Sequence, residues 1–361
     1  MALAVPDLEP YDAGLAPAGF GLNNTGALCY LNALLQLLAG ATSVTRAIRA
    51  SAARTPTGEA LRAFVVSYAG EPGGAPAGAA TVAASSARVL HALVADLGLR
   101  RPGFRFGAGQ ESTTEALLLL LDMLEPEGEP GEVRALLTHR DECVVVCGRC
   151  RQRSPPESDT SPVFNVFHID DDIGAASGCD LAEAILTHAS PLPSFRCANC
   201  AANTSADISA EISAGVAPPL QAMRVYRLCM APEVLVCVFN AYTRRRARPF
   251  PAELELPAKE RGVLVYGLIG QIEHSGGLGG GHYWARCLRA GGQVLLLNDT
   301  GVSPSAFAPT AETYVVAYHF LRHIAVPVAV PAAVAVPAAV PAVVPAAEAP
   351  PINQNSNGVL G

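Results

Sequence analysis

Two sets of residues in this chain have the types and spacing for chemistry: one cysteine facing two histidines, and four cysteines in two pairs. Cys29 lies in the run Gly21-Leu-Asn-Asn-Thr-Gly-Ala-Leu-Cys29-Tyr-Leu-Asn-Ala-Leu-Leu-Gln-Leu-Leu38. A Gly/Asn-rich turn thus delivers a thiol to the first turn of an apolar helix. Free N–H groups and the positive end of the helix dipole favour thiolate there. A lone cysteine is more often a packing residue, so the argument turns on a base and an acceptor to orient it. Far downstream, the segment from Tyr266 to Cys287 reads as strand, Gly-rich loop, strand, and carries His274 and His282. The run Gln293-Val-Leu-Leu-Leu-Asn298-Asp299 reads as a further strand ending in a carboxylate. His282 opens one strand and Asp299 closes the next, as neighbours in an antiparallel pair do. Asp299 then accepts from one imidazole nitrogen while the other faces Cys29. Spacing alone does not choose between the two histidines; Gly279, Gly280 and Gly281 favour His282, because they let backbone approach a narrow substrate closely.

Cys147-Gly-Arg-Cys150 and Cys197-Ala-Asn-Cys200 form the second set. Each CxxC turn presents two sulfurs to one ion, and four thiolates suit a tetrahedral, structural Zn2+ with no open position for catalysis. The separation from Cys150 to Cys197 exceeds that of a short zinc ribbon, so the intervening segment must fold out and back. The rivals are a redox pair, which lacks a thioredoxin-like context here, and a nucleic-acid zinc ribbon, which the acidic charge disfavours. Cys143, Cys179, Cys229, Cys237 and Cys287 show no ligand spacing and read as packing residues, with Cys143 close enough to the first knuckle to substitute as a ligand.

The two catalytic segments resemble the Cys box and His box of the ubiquitin-specific proteases, a class of papain-like deubiquitinating thiol proteases. Gly21, Leu22, Asn24, Gly26, Cys29, Tyr30, Asn32, Leu35 and Gln36 fit the first box; His274, Gly276, Gly281, His282, Tyr283 and Asp299 fit the second. The resemblance implies Cys29 as nucleophile, His282 as general base, Asp299 as its orienter and Asn24 as a side-chain donor to the oxyanion. Asn298 is a weaker candidate for a supporting polar role. Where the family has a Gln-Gln-Asp-Ala-x-Glu-Phe helix, this chain has Gly109-Gln-Glu-Ser-Thr-Thr-Glu-Ala, so Gln110 and Glu115 match while Ser112 and Ala116 depart. The implied substrate-binding residues are Gln110, Gly281, Tyr283 and His274. The implied cofactor is a structural zinc at the tip of a fingers sheet that grips ubiquitin. The implied substrate is the (iso)peptide bond after ubiquitin's C-terminal Gly-Gly, held in a backbone-lined tunnel that Ser275–Gly281 gates. Two alternatives stay open: a cysteine protease for a ubiquitin-like modifier or a Gly-Gly polyprotein site, and a non-catalytic ubiquitin-binding module.

The elements that must position these residues follow from patterning. Half the residues are hydrophobic and 16% are charged, enough for a large core. Residues 20 to about 140 read as mainly helical, and Ser112 or Thr113 caps a helix running to Leu124 with Glu115 available for the reciprocal bond. From Asp141 onward short apolar strands alternate with turns, among them Glu142–Val146, Val163–Ile169, Val234–Phe239, Val263–Ile269 and Tyr314–Tyr318. Helices first and sheet later is the α+β order. It suits the family's papain-like architecture: a helical thumb meeting an antiparallel palm and fingers at a cleft. The expected organisation is an irregular lead over 1–19, a catalytic domain over 20–322 (thumb about 20–140, fingers and palm about 141–322), and an Ala/Val/Pro-rich disordered tail over 323–361.

Composition narrows the partners. A net charge of −7 argues against nucleic acid and suits a basic protein substrate such as ubiquitin. The N-terminal run has no basic n-region followed by a long apolar stretch, so it does not read as a signal peptide. Ten cysteines in this length do not form a disulfide scaffold, which points to an intracellular protein, cytoplasmic or nuclear rather than secreted, with reduced thiols. The tail from Ile324 to Ala347 is long enough to span a membrane, but its prolines oppose that, each costing about 3 kcal/mol in a helix interior. It reads as a polyproline-II spacer or disorder, so no membrane partner is expected. Asp170-Asp171-Asp172 and Arg244-Arg245-Arg246 read as a solvated turn and a hairpin tip.

Overall fold

The computed structural model describes residues 8–17, 19–51, 55–69, 79–100, 111–125, 131–165, 180–192, 195–201, 222–239, 247–258, 262–277 and 280–325. Six helices come first: α1 (Cys29–Gly40), α2 (Thr42–Ala50), α3 (Pro56–Ala69), α4 (Ala79–Arg100), α5 (Thr113–Leu124) and α6 (Glu132–Leu137). The helix foreseen before Leu124 starts at Thr113 with Ser112 as its cap, the Ser112 hydroxyl accepting from the N–H groups of Thr114 and Glu115. Two short helices fall later, α7 (Leu181–Leu186), capped by Asp180, and α8 (Ala198–Ala201).

Every residue of α1 is buried. A helix that is apolar all round belongs inside a core, and α1 lies between the other thumb helices and the large sheet. Strands β1 (His139–Val146), β2 (Glu157–Ser161), β4 (Thr187–Leu192) and β5 (Ala222–Met230) form one sheet, in the order β2-β1-β5-β4. The other sheet has the order β11-β10-β9-β8-β12-β6-β3, with β7 also paired to β8. Its members are β3 (Phe164–Asn165), β6 (Val234–Val238), β7 (Glu253–Ala258), β8 (Gly262–Gly277), β9 (Gly280–Leu288), β10 (Val294–Asn298), β11 (Gly301–Pro304) and β12 (Thr313–Ala325). All pairings are antiparallel except β3 with β6. The α+β class therefore stands, with helices leading and antiparallel sheet following.

Three strands outrun their sequence reading. β8 spans Gly262–Gly277 where Val263–Ile269 was expected, β12 spans Thr313–Ala325 where Tyr314–Tyr318 was expected, and β1 begins at His139. The reason is mutual: β8 and β12 pair along nearly their whole lengths, from Thr313 with Glu273 to Ala325 with Gly262, so polar residues are carried into strand by the ladder. The lead-in is tied down as well: Tyr11 donates its N–H to the Phe320 carbonyl, and Asp12 caps a 3-10 turn at Ala13–Leu15. Gln110, the aspartate run, the arginine run and the tail beyond Ala325 lie outside the described residues.

One buried cation pins thumb to palm. Arg289, at the end of β9, is 1% exposed. Its guanidinium donates to the Gln36 carbonyl at 2.9 Å, to Gln36 Oε1 at 3.0 Å and to the Leu288 carbonyl at 3.0 Å. It also lies 5.7 Å from the centre of the Tyr68 ring, whose hydroxyl donates to Gln36 Oε1. Gln36 in turn donates to the Phe20 carbonyl at 2.6 Å. A side chain placed on Gly40 would press against the same guanidinium. α1, α3 and the β9–β10 connection thus share one polar knot in an apolar core, and removing its donor strands the acceptors. Arg289→Met is expected to cost about 3 kcal/mol of stability, read as a lower urea midpoint with unchanged m-value; an unchanged midpoint would mean the knot carries no stability.

Candidate active site

The turn before α1 is built by one side chain. Asn24 Oδ1 accepts from the N–H of Gly26 at 3.2 Å and of Leu28 at 3.1 Å, which closes the loop and aims Cys29 into the first helical turn. The thiol is 4% exposed. Hydrogen bonds from the backbone of Tyr283, Tyr30 and Cys29 itself favour its thiolate, but burial outweighs them and the nearby Asp299 carboxylate opposes them too, so the Cys29 pKa is raised. The helix start therefore contributes as expected without winning: the resting group is a thiol, because the position is desolvated. The Tyr283 contact matters for topology. It sets the start of β9 against the start of α1, so the residue before Tyr283, His282, belongs to the same site.

β9 and β10 pair in the register Leu288 with Val294 to Ala285 with Leu297. Continuing that register lays the end of β10 alongside the start of β9. His282 Nε2 lies 2.6 Å from Asn298 Oδ1 and 3.9 Å from Asp299 Oδ2. The antiparallel neighbourhood foreseen for His282 is present, and the residue within hydrogen-bond reach is Asn298, which the sequence ranked below Asp299. Asp299 takes a left-handed φ of +49°, which aspartate tolerates better than most residues. Its carboxylate instead faces the cysteine loop: Oδ2 accepts from Asn24 Nδ2 at 3.0 Å and Oδ1 from Asn32 Nδ2 at 2.9 Å. Its carbonyl accepts from the Leu22 N–H at 2.7 Å.

His274 lies on the neighbouring strand β8. It pairs with Tyr283 across β8 and β9, is 3% exposed, and packs its ring 4.3 Å from that of Tyr283. A Cβ on Gly281 would collide with the His274 ring and the Ser275 carbonyl. Gly276, at φ +143°, meets Gly281 across the ladder, and Gly277 meets Gly280. The expected Gly-rich loop is therefore the tip of a hairpin whose last rungs are glycine on both strands. Tyr283 also packs on Tyr314, whose hydroxyl bonds to Ser112 and Thr114 at the start of α5, each at 2.9 Å.

The profile of the family described as ubiquitin carboxyl-terminal hydrolase matches residues 20–318. The chain belongs to this family. No curated protein sequence matches it. Solved structures share its fold at low identity. One is a SAGA DUB module of Ubp8, Sgf11, Sus1 and Sgf73 bound to monoubiquitin, at 18% identity and a TM-score of 0.62, covering 87% of this chain and 72% of that one. A second, with ubiquitin aldehyde, has 17% identity and a TM-score of 0.61 over 85% and 70% of the two chains. A third, the yeast SAGA module with a mutant Sgf73, has 17% identity and a TM-score of 0.61 over 88% and 71%. This hydrolase is thus a deubiquitinase-type cysteine enzyme by family, with the mixed helix and antiparallel-sheet fold of those structures.

The family chain's four paired cysteines also converge. The Sγ atoms of Cys147, Cys150, Cys197 and Cys200 all lie within 4.8 Å of one another. Cys147 and Cys200 are 3.7 Å apart, as are Cys150 and Cys197. Disulfides need about 2.05 Å, whereas four sulfurs around one zinc at about 2.3 Å stand about 3.8 Å apart. The cluster could hold a metal ion, and its donors fit zinc. It sits where β1 ends, with Cys147 donating its N–H to the Gln152 carbonyl and Arg151 turning back at φ +60°. Among the described residues, β2, β3, α7 and β4 lie between the two knuckles. Sequence reasoning left Asn32 without a role; its offset of one helical turn from Cys29, which puts an amide on the same face, is the signal that could have found it.

The contact between the cysteine loop and the β10–β11 turn is close enough to test. A Cβ on Gly21 would strike the backbone of Thr300. Gly21→Ala is expected to part the two segments and lower turnover about 10²-fold, with a smaller loss of stability; wild-type kinetics in that variant would show that the contact does not set the site.

Proposed function

We propose that this chain is a thiol hydrolase that cuts the (iso)peptide bond after the C-terminal Gly-Gly of ubiquitin. The observation that carries the reading is the meeting of Cys29, at the start of α1, with the start of β9, where His282 already has Asn298 at 2.6 Å. Family membership supplies the substrate class. Ubiquitin is also what two of the similar structures have bound.

In this reading the buried thiol stays protonated until substrate arrives. His282 takes the Cys29 proton through one ring nitrogen while Asn298 holds the other. The sulfur then attacks the carbonyl carbon of the terminal glycine, and the electron pair moves to oxygen. The Cys29 N–H and the second hydrogen of the Asn24 amide stabilise that oxygen. The imidazolium gives its proton to the leaving amine, and water releases ubiquitin from the thioester. Asp299 acts as a clip: it holds the Asn24 and Asn32 amides in place rather than serving as the direct partner of His282. Gly276 and Gly281 let the hairpin close tightly on itself beside the site, where a tail without side chains would pass. Gln110, Tyr283 and His274 remain proposed substrate-side residues, Tyr283 and His274 by supporting the hairpin.

Cys147, Cys150, Cys197 and Cys200 would hold a structural Zn2+ at the fingers tip, which clamps two distant turns and takes no part in bond breaking. Reduced thiols at these positions support a protein that works inside the cell, in cytoplasm or nucleus. Among the described residues no helix is long and apolar enough to cross a membrane.

An electrophilic ubiquitin probe is expected to form one covalent adduct with the wild type and none with Cys29→Ala. Adduct formation with a ubiquitin-like probe in place of ubiquitin would assign the substrate to that modifier instead. Asn24→Ala is expected to lose about 10²–10³-fold in kcat. Elemental analysis is expected to find one zinc per chain and none in Cys200→Ser, whose fingers sheet loses amide-exchange protection while α1 keeps it.

A further inference from the structure

β9 alternates its side chains, so His282, Trp284 and Arg286 share one face while Tyr283, Ala285 and Cys287 are buried on the other. On the first face the indole of Trp284 lies over the imidazole of His282, with 28° between the ring planes and 6.0 Å between centroids. The indole is itself held. Its ring N–H donates to Glu273 Oε2 at 2.6 Å. Glu273, the cross-strand partner of Trp284, is 1% exposed. It also pairs with Arg286 Nη1 at 2.8 Å and accepts from the Thr310 hydroxyl at 2.7 Å. A carboxylate this deep is kept only where donors converge on it. Two hydrogen-bond donors and one ion-pair partner do so here, and one of the donors is the ring that stacks on His282. The chain of contacts runs Arg286 and Thr310 to Glu273, Glu273 to Trp284, and Trp284 to His282.

We propose that Trp284 is the positioning residue of His282, a ring clamped by Glu273 whose face fixes the plane of the imidazole. The inference rests on His282 being the base of the proposed hydrolase. Asn298 fixes one ring nitrogen but leaves the ring free to rotate about that bond; the indole removes the rotation. Its face also attracts the imidazolium that forms when His282 holds the thiol proton. Hydrogen bonding to Asn298 and stacking on Trp284 thus act on different degrees of freedom of one ring.

The chain contains one tryptophan, so its emission reports this contact directly. The charged groups facing the pair are Glu273, Arg286 and Asp299. Wild-type emission is expected to be quenched by the stacked imidazole. In His282→Gln the emission should be brighter. In turnover of a fluorogenic ubiquitin substrate, Trp284→Ala is expected to lose about 10²-fold in kcat with KM unchanged, and Trp284→Phe to recover most of it. Emission indifferent to His282→Gln overturns the proposal, as does wild-type kcat in Trp284→Ala; in either case an active wild type leaves the hydrolase reading standing. A wild type that forms no adduct with the ubiquitin probe overturns that underlying reading instead. Should Trp284→Ala not fold, the emission comparison and the kcat of Trp284→Phe decide.

Discussion

The Asp299 carboxylate, gripped between the amides of Asn24 and Asn32, is the interaction on which the site depends. It joins a loop at the front of the chain to a hairpin near its back. Each partner has a second obligation. Asn24 closes the turn that presents Cys29, through its bonds to Gly26 and Leu28. Asn32 is one helical turn beyond the thiol and also donates to the Asn23 carbonyl at 3.2 Å. Asp299 follows Asn298, whose oxygen meets His282. One carboxylate thereby ties the loop that carries Cys29 to the turn beside His282 without touching the ring nitrogen at bonding range. Such a bridge between half-buried polar groups is specific because any slip leaves acceptors or donors without partners.

The same architecture explains why burial prevails over the helix start at Cys29. A helix whose every residue is interior gives its first residue little water. The N–H groups there lower the thiol's pKa, yet desolvation and the Asp299 charge raise it further. A thiol in this state is protected from adventitious oxidation and alkylation, since the thiolate is the reactive form. In the proposed mechanism activation falls to His282, whose ring is met by Asn298 at one edge and Trp284 at one face.

Much of this was legible in the residues. The Gly/Asn turn, the apolar run after Cys29 and the Ser112 cap are local signals, and α1 and α5 begin where those signals lie. The paired CxxC turns likewise carry their own geometry. What was hidden depends on register. Whether Asn298 or Asp299 meets His282 is decided by a left-handed residue in a turn, which no periodicity reveals. The full lengths of β8 and β12 come from each strand completing the other's ladder. Nothing in the sequence singles out Arg289, which the fold surrounds with Gln36 and Tyr68. Trp284 reads as one more aromatic in a strand until Glu273 and His282 are placed on either side.

The long span between Cys29 and Asn298 has a consequence during synthesis. α1 emerges from the ribosome early, with its sulfur, but the strand that completes the site leaves last among the elements that build it. Contacts this distant in sequence form late and only in a nearly finished chain. A nascent or prematurely terminated copy lacking β10 would therefore carry a cysteine without a partnered histidine. In the proposed mechanism such a copy is inert toward ubiquitin conjugates.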